Sequence, residues 1–257
     1  MKREKEERYQ IKNTTRKQGF TFILAAIFFT GILYFSFQLL FHYKNYVGAR
    51  REYVRLKENI QKEITRKQEK EVQLKQINPD YLFWLSVPQT SISYPVVKNP
   101  KPGYYLNHTF EKTVNPAGCL FVQEHPEAVE WGNVVVFGHS MKDGSMFADL
   151  NKFRNEEYYN RHRTIQLCYQ GNWYNGLIFS VQVRDESDLT CYKTQFEWTA
   201  EKKEFIDEMM DASLYSGDDV PSVENTILTM STCHGSGERT IVQAVLLCYT
   251  GINKKYK

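Results

Sequence analysis

Short apolar runs, each closed by turn residues, make up most of the chain from Asn78 onward. Runs of this length that are rich in β-branched and aromatic residues predict strands. They read YLFWLSVP, SISYPVV, GCLFVQE, NVVVFGH, RTIQLCYQ, NGLIFSVQVRD, NTILTMSTC and RTIVQAVLLCY. About eight such strands with few helices between them predict a mainly β fold, a closed or nearly closed barrel.

Two stretches of this region follow a helical pattern instead. The sequence GSMFADLNKF at residues 144–153 predicts a short helix. The sequence TAEKKEFIDEMMDASLY at residues 199–215 has apolar side chains on one helical face and predicts a longer helix, with Thr199 as its N-cap. The segment QGNW at Gln170–Trp173 predicts a hairpin turn between two strands.

The N-terminal part of the chain has a different pattern. Residues 20–41, FTFILAAIFFTGILYFSFQLLF, carry no charge over 22 residues, enough for a helix to cross a hydrocarbon core of roughly 30 Å. A buried helix of this length in a soluble core would show a polar stripe. A cleaved signal peptide would have a shorter apolar region that ends in small residues. We therefore predict an uncleaved transmembrane anchor.

Charge suggests how such an anchor would be oriented. Residues 1–19 hold seven basic and three acidic side chains, which favours a cytoplasmic tail. Basic residues also follow the span, so this bias is modest. We predict a single-pass protein of the cell membrane with its N-terminus in the cytoplasm. The net charge of the whole chain is +3, and no basic cluster lies on one strand, so we predict no nucleic-acid partner.

Residues 42–77 link the anchor to the barrel and are highly charged. Tyr53, Leu56, Ile60 and Ile64 recur in them at helical spacing. The spacing predicts a juxtamembrane helix, which is either docked on the domain through this thin apolar stripe or a solvated spacer. Residues 78–257 are predicted to form one extracytoplasmic domain.

The cysteines offer one candidate for chemistry. Five are present, at positions 119, 168, 191, 233 and 248, and none has the CxxC spacing of zinc or thioredoxin-like sites. We predict neither a metal nor another cofactor. Cys233 ends a strand beside the turn HGSGE, where a reactive thiol is typically found. The other cysteines lie within apolar runs, where a small buried side chain is the simpler interpretation.

Two further side chains are candidates to act on that thiol. His139 follows the buried run VVVFG and precedes a loop, so its imidazole is placed at a rim. His234 adjoins Cys233, and neighbours on an extended backbone point to opposite sides. Arg239 begins the next strand, and a hairpin could bring its guanidinium across from the thiol to stabilise a thiolate, an oxyanion or a substrate. It could equally be a surface arginine paired with Glu238.

Three separated segments resemble the sortase family. TMSTC at residues 229–233, followed by ERTIVQAVLL, resembles the TLxTC strand end of sortases with an arginine on the next strand. VVVFGHSMKDGSMFADLNKF at residues 134–153 resembles the sortase histidine segment in its class B form, and SYPVVKNPKPGYYLNHTF at residues 93–110 also resembles class B. The likeness covers roughly residues 78–250. Met230 replaces the usual leucine, and the loop from cysteine to arginine is short for the class.

The resemblance implies a sortase-type eight-stranded barrel with a few helices and a membrane-anchored cysteine transpeptidase. It assigns Cys233 as nucleophile, His139 as general acid and base, and Arg239 as stabiliser of the oxyanion or substrate. Such enzymes cleave a C-terminal sorting signal of a secreted protein, usually after a threonine, and pass the thioacyl product to an amine.

That amine belongs to a cell-wall precursor or, in a pilin polymerase, to a pilin lysine. The class B likeness also maps substrate contacts onto Leu106, Tyr192 and Ser231. The alternatives outside this class are a membrane-tethered cysteine protease and a non-catalytic module that binds a surface.

Overall fold

The computed structural model describes residues 28–41, 43–44, 47–48, 50–57, 67–122, 132–216, 220–234 and 237–247. The chain divides into two compact units, Met1–Val47 and Gly48–Lys257. In the first unit, residues 28–41 are helical and most of their large apolar side chains are exposed. None of the helices described in these ranges is both long and apolar enough to cross a membrane. Residues 1–27, which include the predicted basic tail and the start of the predicted anchor, lie outside the described residues.

The second unit is built on a closed barrel. Its strands are β1 (Tyr81–Ser86), β2 (Ser93–Lys98), β3 (Leu120–Val122), β4 (Asn133–Phe137), β5 (Thr164–Tyr169), β6 (Asn172–Asp185), β7 (Thr226–His234) and β8 (Glu238–Leu247). Their order around the barrel is β1-β2-β3-β4-β7-β8-β6-β5, and β5 pairs back to β1. The pairs β2–β3 and β4–β7 are parallel, and the other pairs are antiparallel. The predicted eight-stranded barrel is confirmed.

Helices and turns connect the strands. They are α1 (Lys67–Ile77), α2 (Glu156–Arg161), α3 (Thr199–Asp211) and the 3₁₀ turns η1 (Tyr104–Leu106), η2 (Ala148–Arg154) and η3 (Thr190–Tyr192). The short helix predicted at residues 144–153 is the 3₁₀ turn η2, and the longer predicted helix is α3, which ends earlier than expected. The predicted N-cap was wrong, because Thr199 is already helical and the cap residue is Trp198, in an extended conformation.

The predicted hairpin at QGNW joins β5 to β6. Gln170 and Gly171 have φ angles of 49° and 73°, and Tyr169 pairs with Asn172 across the turn. Two successive residues with positive φ match the twist of the strands that they connect. The turn therefore sets the register of these two strands.

A buried apolar cluster forms between helix α3 and the barrel. Phe205, Ile206 and Met209 of the helix pack against Phe179 and Ile241 of the strands, and all five side chains are buried. Each such side chain contributes about 1.5–3 kcal/mol when it leaves water. The cluster holds α3 beside β6, β7 and β8, which carry part of the site described below.

Residues 50–57 dock on the barrel. The side chains of Tyr53 and Leu56 are buried, and the Tyr53 hydroxyl donates a 2.7 Å hydrogen bond to the Gly118 carbonyl. The rings of Tyr53 and Tyr94 meet edge to face, with their centroids 5.0 Å apart. Of the two interpretations of the apolar stripe, docking is the one that these contacts favour. The rest of the stripe, at Ile60 and Ile64, lies outside the described residues.

We expect Gly138→Ala to destabilise the fold by about 1–3 kcal/mol, the usual cost of overpacking a core. A Cβ atom at this position would collide with the Leu120 side chain and would lie 2.8 Å from Cδ2 of Phe147. Both side chains are fully buried and have little room to move. Urea unfolding measures the loss. Gly48→Ala is the control, since an added Cβ there meets nothing within 4 Å, and an equal loss in both variants would contradict the prediction.

Candidate active site

Cys233 lies near the end of strand β7 and is exposed. The antiparallel ladder between β7 and β8 pairs Cys233 directly with Arg239. The guanidinium Nη1 of Arg239 lies 4.0 Å from the Cys233 sulfur. The predicted hairpin therefore brings the cation to the thiol. Glu238, the alternative partner of this arginine, instead forms an ion pair with Arg154 at 3.5 Å.

The other described cysteines are buried. Burial raises the pKa of the Cys191 thiol to about 11 and raises the pKa of Cys119 still further. Cys168 is buried on β5, and Cys248 lies outside the described residues. A thiol that is both buried and protonated is a poor nucleophile, because the thiolate is the reactive form. Of the four described cysteines, only Cys233 meets an incoming reagent at the surface.

His139 is brought to the same end of the barrel by a parallel strand pair. The ladder between β4 and β7 ends with Phe137 opposite Ser231. His139 and Cys233 each follow two residues later on adjacent strands that run in the same direction, so both leave the barrel at one edge. A further hydrogen bond of 2.8 Å, from the Thr232 hydroxyl to the Gly138 carbonyl, ties the two segments together just before these residues.

The imidazole of His139 is oriented by the turn η1. Its Nε2 atom lies 2.8 Å from the Leu106 carbonyl oxygen. A carbonyl oxygen can only accept, so Nε2 is the nitrogen that carries the proton in this arrangement. Leu106, predicted from the resemblance as a substrate contact, therefore reaches the site through its backbone. Its side chain is 45% exposed and remains free to meet another molecule.

The other two predicted contacts, Tyr192 and Ser231, touch each other. The Tyr192 hydroxyl lies 2.8 Å from Oγ of Ser231, a side chain that is buried. The Tyr192 ring packs on Phe137, with the centroids 5.2 Å apart. Burial raises the pKa of Tyr192 to about 12, so its hydroxyl is neutral over the physiological range.

A groove of about 690 Å³ connects these residues to the catalytic candidates. Phe137, Tyr192 and Arg239 line it together with Phe205 of helix α3. It is large enough for several residues of an extended peptide, since ligand pockets measure about 300–1,000 Å³. The thiol and guanidinium thus lie where a groove-bound chain would present a carbonyl group.

Asn133 is a residue of this wall that the sequence did not reveal. It is fully buried at the start of β4, and its amide nitrogen donates to the carbonyls of Cys191 and Lys193 at 3.1 and 3.0 Å. These two carbonyls flank Tyr192, so Asn133 fixes the segment that carries the tyrosine. A polar residue opening the apolar run NVVVF was the signal that could have pointed to it.

No group of three or more His, Cys, Asp or Glu side chains in the described ranges is arranged to hold a metal ion. The chemistry that the described residues offer is nucleophilic. An exposed thiol, a neighbouring cation and a histidine at the same barrel edge are the parts needed for acyl transfer to sulfur.

Comparisons with known proteins agree with this arrangement. The family model for the sortase domain matches residues 85–247, a range that contains all six predicted site residues. Sortase B of Listeria monocytogenes is 30% identical over 162 residues, which cover 62% of this chain and 65% of that protein. The structure of Clostridium perfringens sortase B superposes with a TM-score of 0.66 at 33% identity, covering 69% of this chain and 99% of that chain.

A Staphylococcus aureus sortase B–substrate complex superposes with a TM-score of 0.73 at 25% identity, covering 78% of this chain and 97% of that chain. The resemblance noted in the sequence to class B is confirmed by these relatives. Because the family model matches well over half of its length, the chain belongs to the sortase family of cysteine transpeptidases, and the relatives that it matches are class B sortases.

Proposed function

We propose that this chain is a cysteine transpeptidase that cleaves a C-terminal sorting signal of secreted proteins and joins them to an amine of the cell-wall precursor. The observation that carries the proposal is the exposed Cys233 thiol with the Arg239 guanidinium 4.0 Å away, at the edge of the barrel where His139 leaves β4. Family membership supports the reaction class.

The first half of the proposed reaction is acylation. The Cys233 thiolate attacks the carbonyl carbon of the scissile peptide bond, and Arg239 donates hydrogen bonds to the oxygen as it becomes negative. The C–N bond then breaks, and protonated His139 gives its proton to the leaving amine. The secreted protein is left as a thioester on Cys233.

The second half transfers the acyl group. The acceptor amine attacks the thioester, His139 takes the proton that the amine loses, and the C–S bond breaks as the new amide forms. Cys233 returns as the thiolate. If water replaced the amine, the product would be an acid, and the chain would act as a protease.

The proposed substrate contacts follow from the groove. Its wall at Tyr192 and Ser231 would bind the residues that precede the scissile bond, and the exposed side chain of Leu106 would meet them from the histidine side. The structure of a S. aureus sortase B–substrate complex with the same barrel supports binding of this kind.

We also propose that residues 20–41 anchor the chain as a single membrane span, with a cytoplasmic N-terminus and the barrel outside. The uncharged run of 22 residues and the exposed apolar side chains of residues 28–41 support this. Extraction of membranes with sodium carbonate tests it. The full chain should stay with the membrane, and a variant lacking residues 20–41 should be released; release of both would refute the anchor.

The choice of acceptor is tested with the full-length chain and peptides that carry threonine before the scissile bond and mixed residues at the three positions before it. Triglycine supplies a wall-type amine, in line with a S. aureus sortase B structure that contains it. A pilin-type lysine peptide supplies the other. Amide formed with triglycine supports wall anchoring, amide formed only with lysine supports a pilin polymerase, and acid that no amine diverts supports a protease.

We expect Tyr192→Phe to raise KM for the peptide about 3- to 10-fold with little change in kcat. The change deletes one hydrogen bond and leaves the buried Ser231 hydroxyl without its partner, a loss of about 0.5–1.5 kcal/mol. Because the pKa of Tyr192 is about 12, the effect should be constant from pH 6 to 9. Steady-state kinetics measure it.

The control for this variant is Tyr158→Phe. Burial also raises the pKa of Tyr158 to about 12, but its ring packs on Phe153 instead of the groove. Its KM should match the wild type. Equal KM values in the two variants would contradict the proposed role of Tyr192.

A further inference from the structure

One asparagine side chain links the three segments that carry the proposed catalytic residues. The amide nitrogen of Asn151, in turn η2, donates to the Ser140 hydroxyl at 2.9 Å and to the Cys233 carbonyl at 3.3 Å. Its amide oxygen accepts a hydrogen bond from the Thr240 hydroxyl. Both ends of the planar amide are thus engaged.

The partners of this amide are distributed in an informative way. Ser140 directly follows His139, and Thr240 directly follows Arg239. The third partner is the nucleophile's own carbonyl. The loop after β4, the end of β7 and the start of β8 therefore meet at one side chain.

The backbone ladders do not by themselves fix all three segments. The β7–β8 pairing sets Cys233 against Arg239, but the β4–β7 pairing ends at Phe137, before the histidine. Beyond that point the histidine loop closes on itself through Phe147, whose amide donates to the His139 carbonyl at 2.9 Å. The bond from Asn151 to Ser140 is what connects this loop to the carbonyl of Cys233.

Turn η2 is a rigid support for such a link. Leu150 and Phe153, on either side of Asn151, are fully buried. The Asp149 carboxylate accepts a hydrogen bond of 2.7 Å from the backbone N–H of Ser91 and pairs with Lys152 at 2.8 Å. An amide held from such a base has one position, as a positioning group requires.

We propose that Asn151 is a positioning residue that holds the His139 loop, Cys233 and Arg239 in their working geometry. It acts through Ser140, Thr240 and the Cys233 backbone without touching the reacting atoms. The inference rests on the proposed roles of those three catalytic residues.

The test is the kinetics of Asn151→Ala in the full-length chain, with the threonine-containing peptide mixture and triglycine. Misplacement of catalytic groups by about 1 Å lowers rates by about 100-fold, so we expect kcat to fall by about that factor. KM should stay within about twofold, because the binding wall at Tyr192 and Ser231 makes no bond to Asn151.

Asn155→Ala is the matched control. Asn155 lies four residues away, and its side chain caps helix α2 by accepting from the backbone N–H of Tyr158. This variant also loses an asparagine hydrogen bond, but one that does not reach the site. Its kcat should equal the wild-type value, and its melting temperature shows how much of any Asn151 effect is due to stability.

A second pair of variants guards against a change that merely unfolds the site. Thr240→Val keeps the shape of the side chain and removes only the donor to Asn151, so kcat should fall. Thr240→Ser keeps that donor and should restore most of kcat. Failure of the serine variant to exceed the valine variant would overturn the inference.

The remaining outcomes separate this inference from the proposed function. If the wild-type chain forms no amide or thioester with the peptides, the proposed function fails and the inference fails with it. If the wild type is active and Asn151→Ala has the kcat of Asn155→Ala, only the inference is overturned.

Discussion

Replacing Cys233 with alanine is expected to abolish covalent capture of a sorting peptide and to lower turnover by about 10⁴-fold or more, as loss of a catalytic nucleophile does. The thioester forms on this sulfur, and none of the other described cysteines is exposed. Intact-mass spectrometry of the chain incubated with peptide measures the adduct, and release of product measures turnover. Folding should be unaffected, because the Cys233 side chain is exposed and contributes little to the core.

Cys168→Ala is the control for this experiment. Cys168 is a buried cysteine on β5, two strands away from β8 around the barrel, and its loss should leave capture intact. Product formed by Cys233→Ala would refute the catalytic assignment. A Cys233→Ala chain that still binds the peptide, beside a wild type that never captures it, would instead support a binding module.

The pairing of Cys233 with Arg239 could be predicted because it is local. Two strands joined by a short loop form a hairpin, and loop length fixes which residues face each other. The structure pairs these two residues directly. The sequence still left a choice between a functional arginine and one paired with Glu238, and that choice depended on Arg154, which approaches Glu238 from another part of the chain.

The place of His139 could not be derived in this way. Its approach to Cys233 depends on the parallel pairing of β4 with β7, two strands that lie far apart in the sequence. Periodicity identifies each strand but does not say which strands become neighbours. The resemblance to sortases supplied the assignment that local patterns left open.

Contacts made by the backbone and by buried amides have little sequence signature. The carbonyl of Leu106 reaches His139, and a carbonyl is present at every residue, so the prediction of a side-chain contact there missed the bond. Asn133 and Asn151 bind backbone and hydroxyl groups of distant segments, which only the folded chain brings together.

The wrong N-cap of helix α3 has a similar cause. Thr199 has the residue type that favours a cap. In the structure the carboxylate of Glu201 accepts the hydrogen bond of the Glu197 backbone N–H and pairs with Lys193. These contacts hold the chain that enters the helix, and the helix begins with Thr199 already inside it.

Replacing Arg239 with alanine is expected to lower kcat by about 10²–10³-fold, the usual cost of removing a donor to an oxyanion. The guanidinium lies 4.0 Å from the sulfur that would carry the tetrahedral intermediate, and it lines the groove. Arg239→Lys should recover only part of the rate, because an ammonium is a point charge without the planar fork of donors. Single-turnover measurement of acylation with the peptide mixture separates this step from transfer to the amine.

Arg154→Ala is the matched control, since it removes a nearby arginine that pairs with Glu238, the residue next to Arg239. A partly exposed ion pair contributes about 0–1 kcal/mol to stability, so this variant should fold and should acylate at the wild-type rate. If both arginine variants slowed acylation equally, the effect would be one of general positive charge. If Arg239→Ala acylated normally and failed only at low peptide concentration, Arg239 would bind the substrate in its ground state and would not stabilise the oxyanion.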